Sequence, residues 1–270
     1  MADVFLIAAM VIACQMLLLW LLSIPLRNVS IVDIGWGIGF VVVAWGATPA
    51  DGRSLLVLLV TVWGLRLAGY LAWRNIGKPE DYRYVAMREK RGSSFVWSSL
   101  LIVFGLQGVI MWIVSLPVMA AGATRAAEPC WILTGAGCVL WLVGMTFETV
   151  GDWQLARFKA NPDNHGKVMD RGLWRCTRHP NYFGEFLIWW GHWLVCLGVS
   201  ERSETWWTVI SPMLMTFLLL KVSGVAMLER AMKTRSPEYA SYIRRTSAFF
   251  PLRPGRVVDA DNVMDQQTSQ

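Results

Sequence analysis

Ionisable and amide side chains stand inside the longest apolar runs of this chain, and they recur at helical spacing. Arg66, Tyr70 and Arg74 follow one another four residues apart. Asn181, Glu185 and Trp189 do the same, with His192 three residues further on. Glu148 and Asp152 are four apart, and Lys159 lies seven beyond Asp152. Asp33, Gln107 and Lys221 stand in three other apolar runs. Residues four apart share one face of a helix. A charge within an apolar stretch is costly and is retained where it has a partner or a task. Two chemistries suit this set. Planar guanidinium groups match phosphate oxygens two at a time, so Arg66, Arg74, Lys159, Arg171, Arg175, Arg178 and Arg245 suit an anionic ligand carrying several phosphates. Asp33 or His192 could hold and deliver a proton. Any one of these residues would also fit a satisfied interhelical pair. Five helices with polar groups at one depth fit a shared cavity open to one side better.

Other chemistries are disfavoured. No G-x-G-x-x-G follows a strand pattern and no G-x-x-x-x-G-K-[ST] is present, which argues against the usual phosphate loops. The five Cys (14, 130, 138, 176 and 196) include no CxxC pair, and His165, His179 and His192 match no HExxH, so neither a disulfide framework nor a zinc site is expected. The basic residues fall between apolar runs, which disfavours nucleic acid as a partner.

The elements that must position these groups are membrane helices. Hydrophobic residues make up 55 % of the 270 and charged residues only 16 %, against about 25 % in soluble domains. A helix needs about 20 mostly apolar residues to cross the hydrocarbon core. Seven windows qualify: 4–26, 29–49, 54–73, 95–121, 130–150, 182–200 and 206–228. The first has no basic residue before it and is too long for a signal peptide, so it reads as a retained span. Sixteen Trp suit the water–lipid boundary. The net charge of +6 is unevenly placed. Basic residues cluster after the third, fifth and seventh windows, while the intervening loops hold one each, Arg53, Arg125 and Arg202. Basic loops stay in the cytosol, so seven spans with the N-terminus outside and the C-terminus cytosolic satisfy every loop. Ser236-Pro237-Glu238 reads as the start of a short amphipathic surface helix bearing Tyr239, Tyr242 and Ile243 on one face. The expected organisation is thus all-α, with one membrane domain over 1–256 and a polar, disordered tail over 257–270.

At Gly172–Glu185 the string GLWRCTRHPNYFGE opens a membrane helix. It resembles the C-terminal region of steroid 5-alpha-reductases and sterol reductases, and more distantly isoprenylcysteine carboxyl methyltransferases, which share RHP followed by Tyr. Four further segments resemble the DUF1295-type bacterial membrane family of unknown function within that group. They are Val32–Gly37 (VDIGWG), Trp63–Arg66 (WGLR), Lys78–Tyr84 (KPEDYRY) and the stretch from Glu238 (EYASY) to Pro251. The resemblance implies a seven-span, NADPH-dependent reductase of the bacterial inner membrane, acting in lipid metabolism on a hydrophobic, lipid- or steroid-like enone or alkene. Carried onto this chain, it places the cofactor against Asn181 and Glu185 of NxxGE, with Arg178, His179 and Tyr182 from the same motif. It adds Arg66 and Tyr70 on the third span, Asp152 and Lys159 on the fifth, and Tyr239, Tyr242 and Arg245 in the C-terminal segment. The pattern is also broken. The steroid enzymes polarise their ketone with a Gln-Glu pair on the second span and a Tyr three residues before the third-span Arg. Here Asp33 is the nearest acidic candidate for catalysis, and the Tyr position holds Trp63.

A second reading is an S-adenosylmethionine-dependent methyltransferase acting on a lipid or a lipidated cysteine. Those enzymes carry paired Glu in the last helix, where this chain has Glu229 between Leu228 and Arg230. A transporter would show repeats and interrupted helices in matching halves, and neither is present in the sequence.

Overall fold

The computed structural model describes residues 1–48, 55–124, 126, 128–222 and 237–253. Among these the chain is helical, with no β-strand. Nine helices carry the description: α1 (Ala2–Leu26), α2 (Ile31–Gly46), α3 (Leu55–Asn75), the composite α4 (Tyr82–Val114), α5 (Leu116–Ala123), α6 (Trp131–Ala160), α7 (Pro180–Val199), the composite α8 (Arg202–Val222) and α9 (Pro237–Arg245).

Five of them, α1, α3, α4, α6 and α8, are long and apolar enough to cross a membrane. The sequence pattern predicts seven. The second window forms a helix of only 16 residues, short of the roughly 20 that a span requires. The sixth forms the 20-residue α7, but its Asn181, Glu185 and His192 dilute the apolar run. The fifth window ends at 150, yet α6 continues to Ala160. The tail 257–270, the capping Ser236 and loop residues Arg53 and Arg125 lie outside the described residues. Large aliphatic side chains such as Leu6, Leu18, Leu58, Leu101 and Ile132 are mostly exposed, a surface suited to lipid rather than water.

The chain divides into two compact units. The first joins Met1–Trp141 to Trp189–Leu214. In it α2 and α3 meet backbone to backbone: a Cβ on Gly37 would fall 2.5 Å from the Gly64 carbonyl oxygen, and one on Gly64 would fall 2.6 Å from that of Gly37. Small residues allow such approach where no hydrophobic effect drives helices together. Polar groups add to it. Gln15 donates to the Gly35 carbonyl (2.8 Å), the Trp20 indole to Val96 (2.9 Å), the Trp112 indole to Phe5 (3.1 Å) and Ser211 to Val114 (2.6 Å). Helix α1 ends on Arg27 at φ 49°, a left-handed position that helices usually give to Gly and that costs a side-chain-bearing residue about 1 kcal/mol.

The second unit joins Leu142–Ile188 to Met215–Gln270. Here α6 and α7 approach at Gly144 and Gly184, where a Cβ on Gly184 would lie 2.5 Å from both the Gly144 carbonyl oxygen and the Glu148 backbone nitrogen. The turn after α6 is tied back to it, since Leu173 N–H donates to the Gln154 side chain and the Trp174 indole to the Gly151 carbonyl, both at 3.0 Å. Helix α9 buries Tyr239 and Tyr242, the face that the sequence pattern assigns to contact.

Candidate functional site

In the first unit, two of the resembling segments meet around Asp33. Its carboxylate accepts from the Arg83 guanidinium at 3.1 Å and from the Tyr84 hydroxyl at 2.8 Å. Gln107 donates to the same Tyr84 oxygen at 3.2 Å. The preceding loop holds the cluster in place. Val29 N–H donates to Glu80 (2.7 Å), Asp81 N–H to the Ser30 hydroxyl (2.8 Å), and Arg88 to both Glu80 oxygens (2.8 and 3.1 Å). Asp81 caps α4 by accepting from Arg83 N–H at 2.9 Å, and its carboxylate also receives the Arg83 side chain. Burial alone would raise the Asp81 carboxyl, but the hydrogen bonds from the Arg83 side chain and backbone outweigh it and hold the group below its ordinary range. The KPEDYRY segment is therefore a clamp on the turn between α1 and α2, and it delivers a buried phenol to Asp33. The sequence reading placed no role on Arg83 or Tyr84. Their presence in the resembling segment was the available signal.

Elsewhere in this unit, Arg66 and Arg74 both lie over the Tyr70 ring, at 5.5 and 5.6 Å from its centre. The four-residue spacing thus produces a cation–aromatic stack along α3. Trp63 is fully buried against Trp189 (5.1 Å between ring centres) and Phe40 (5.5 Å). His192 is fully buried beside Trp189 at 5.1 Å, and neither ring nitrogen has a hydrogen-bond partner among the described residues.

In the second unit, two residues that the resemblance assigns to the cofactor come together from segments 29 positions apart: the Asn181 amide donates to the Asp152 carboxylate at 3.2 Å. Asp152 and Glu148, one turn before it on α6, are both buried. Glu185 is half-buried on α7 and Lys159 is exposed at the end of α6. His179 and Tyr182 stack with rings 5.4 Å apart and nearly parallel.

Arg178, Tyr242 and Arg245 have a task that spacing did not reveal. The buried Arg178 guanidinium donates to the carbonyls of Ile243 (3.0 Å) and Thr246 at the end of α9. These are carbonyls that a helix leaves unsatisfied, and a cation there also meets the negative end of the helix dipole. Tyr242 donates to the Trp174 carbonyl, and Arg245 pairs with Asp170. Backbone bonds continue the seam, from Arg178 N–H to Ser247 (2.9 Å) and from Leu252 N–H to Cys176 (3.0 Å). Thr177 donates to Phe249 (2.8 Å), and Phe249 packs on Phe183 and Phe186. Burial, then the neighbouring Tyr239, pushes the Tyr242 phenol above its ordinary range, so it remains a neutral donor. The GLWRCTRHP turn and the C-terminal segment therefore form one strapped structure.

No curated protein and no solved structure matches this chain. A match to a protein family runs over residues 19–246, spanning every residue discussed above from Asp33 to Arg245, and its description is "Protein of unknown function (DUF1295)". With most of its length matched, the chain belongs to that family.

Proposed function

We propose that this protein is a membrane-embedded reductase of the steroid 5-alpha-reductase and sterol reductase superfamily, using NADPH on a hydrophobic, lipid-like enone or alkene. The observation that carries the reading is the hydrogen bond between the buried Asp152 and the half-buried Asn181. Its donor set fits a nicotinamide nucleotide: a carboxylate accepts from ribose hydroxyls, and a side-chain amide can answer a carboxamide. When bound, the reduced nicotinamide would supply the hydride. Glu185, Tyr182 and Lys159 in the second unit, and Arg66 and Tyr70 in the first, remain assigned to the cofactor on the resemblance. On the resemblance, Asp33 remains the acidic candidate for catalysis, its carboxylate held by Arg83 and Tyr84. We further infer seven crossings of a bacterial inner membrane, with the N-terminus outside and the C-terminus cytosolic, supported by the alternation of basic and near-neutral loops. Reporter fusions at Arg53, Arg125 and Arg202 should all report the outside; a cytosolic signal at two of them refutes this topology.

The full chain in detergent, titrated with NADPH, NADH and S-adenosylmethionine by thermal shift, tests the cofactor. A ligand that binds the folded state raises the melting temperature. NADPH should give the largest shift. Asn181→Ala, Asp152→Asn and Glu185→Gln should each weaken it about ten- to a hundred-fold, the worth of one charge-assisted hydrogen bond; Glu185→Gln should leave the ligand-free melting temperature nearly unchanged, while the other two also lose the Asp152–Asn181 bond and should lower it. A shift with S-adenosylmethionine alone would move the chain to the methyltransferases, and no shift with any of the three removes the reductase reading.

A further inference from the structure

A cavity of about 470 Å³ opens in the first unit where α1 ends, beside α4 and outside the Asp33 cluster. Arg27 and Arg88 line it together with Ser23, Ser99, Ile24 and Phe95. The two cations differ in a way that sets the chemistry. Arg88 is pre-organised: it donates twice to Glu80 and lies 4.8 Å over the Phe95 ring. A guanidinium has five N–H donors, so three remain on Arg88 after the Glu80 bonds. Its charge is matched by Glu80. Arg27 has no acidic partner among the described residues, so the cavity keeps one uncompensated positive charge. Arg27 is also held in the left-handed conformation, the only non-glycine residue with positive φ among those described.

The hydroxyls add a second requirement. Ser23 donates to the Trp20 carbonyl (2.7 Å) and Ser99 to the Val96 carbonyl (2.8 Å). Each hydrogen is already engaged within its own helix, so toward the cavity these oxygens can only accept. A ligand that fits must carry a single negative charge for the guanidiniums and hydroxyl donors for the serines. The remaining wall is apolar, formed by Ile24, Pro25 and Val96, and it borders the exposed Leu21, Leu22 and Leu26 of α1.

We propose that this cavity is a binding site for a glycerol-bearing phosphodiester, with the phosphate on Arg27 and Arg88 and the glycerol hydroxyls on Ser23 and Ser99. That group occurs both in an anionic glycerophospholipid headgroup and in the soluble deacylated diester. The site stands apart from the proposed reductase chemistry and needs neither NADPH nor turnover.

The full chain in a neutral detergent, titrated by thermal shift with phosphatidylglycerol, soluble glycerophosphoglycerol and diacylglycerol, tests it. Phosphatidylglycerol should raise the melting temperature and diacylglycerol should not. A shift with the soluble diester of comparable affinity assigns the ligand to the soluble source; a shift with phosphatidylglycerol alone assigns it to the lipid. Arg27→Gln removes the unmatched charge from an exposed position, and Ile24→Trp fills the cavity from a side chain that is 40 % exposed. Both variants should keep the ligand-free melting temperature and weaken apparent affinity at least five-fold. Unchanged affinity in both, or an equal shift with diacylglycerol, overturns the proposal.

Discussion

Replacing Arg178 by Met removes the guanidinium and keeps an apolar stem of similar length. In the folded protein Arg178 is 7 % exposed and its guanidinium satisfies two carbonyls at the end of α9. A hydrogen bond to a charged group is worth about 1.5–3 kcal/mol. The two share one side chain and are not additive, so a combined loss of about 3 kcal/mol is expected. By the usual conversion that raises the undocked population of the C-terminal segment roughly a hundred-fold. Hydrogen exchange read by mass spectrometry reports this directly, because local opening exposes amides in proportion to its free energy. The amides of Thr246 and Leu252 are bonded to Tyr242 and Cys176, so a peptide covering 243–253 should exchange at least ten-fold faster in the variant. Peptides from α1 should be unchanged, since α1 lies in the other unit. Arg178→Lys keeps the charge but loses the planar fork, and should fall between the two. Exchange over 243–253 within three-fold of the wild type would show that Arg178 does not hold the strap, and the account of this motif as a tether would fail.

Two further outcomes follow from the packing and the electrostatics. Gly184→Ala should lower the melting temperature by an amount equivalent to about 1–3 kcal/mol, the cost of overpacking, because its new Cβ meets backbone at 2.5 Å; Gly135→Ala, with open space around it, serves as the matched control and should be neutral. The Asp81 carboxyl is held below its ordinary 3.8, so the stability it contributes is present above that value and fades as the pH falls below it. The difference in melting temperature between wild type and Asp81→Asn should therefore be full near neutrality and shrink once the pH drops through about 3.8. A difference that persists unchanged into that range would refute the ion-pair account of the α4 cap.

Much of the architecture was legible in the chain because helices report themselves locally. Apolar runs longer than a membrane is thick announced α1, α3 and α8, and the residue types at Pro237–Arg245 announced an amphipathic helix whose buried face carries Tyr239 and Tyr242. Glycines recurring every seven residues, Gly137, Gly144 and Gly151, then Gly184, Gly191 and Gly198, are a further local signal. A seven-residue period is what close packing of two helices along one seam requires, and Gly137 and Gly144 do meet Gly191 and Gly184. What local pattern could not show was which distant group each polar side chain would face. Asp33 reads as a lone acid in an apolar run, and only the fold brings Arg83 and Tyr84 to it from 50 and 51 positions away. Arg178 reads as one more cation beside a histidine, and only the fold turns it onto carbonyls 65 and 68 residues further along. Helical periodicity is a property of neighbours within a turn. A buried charge must find its partner wherever packing places one, so its role is decided by tertiary structure.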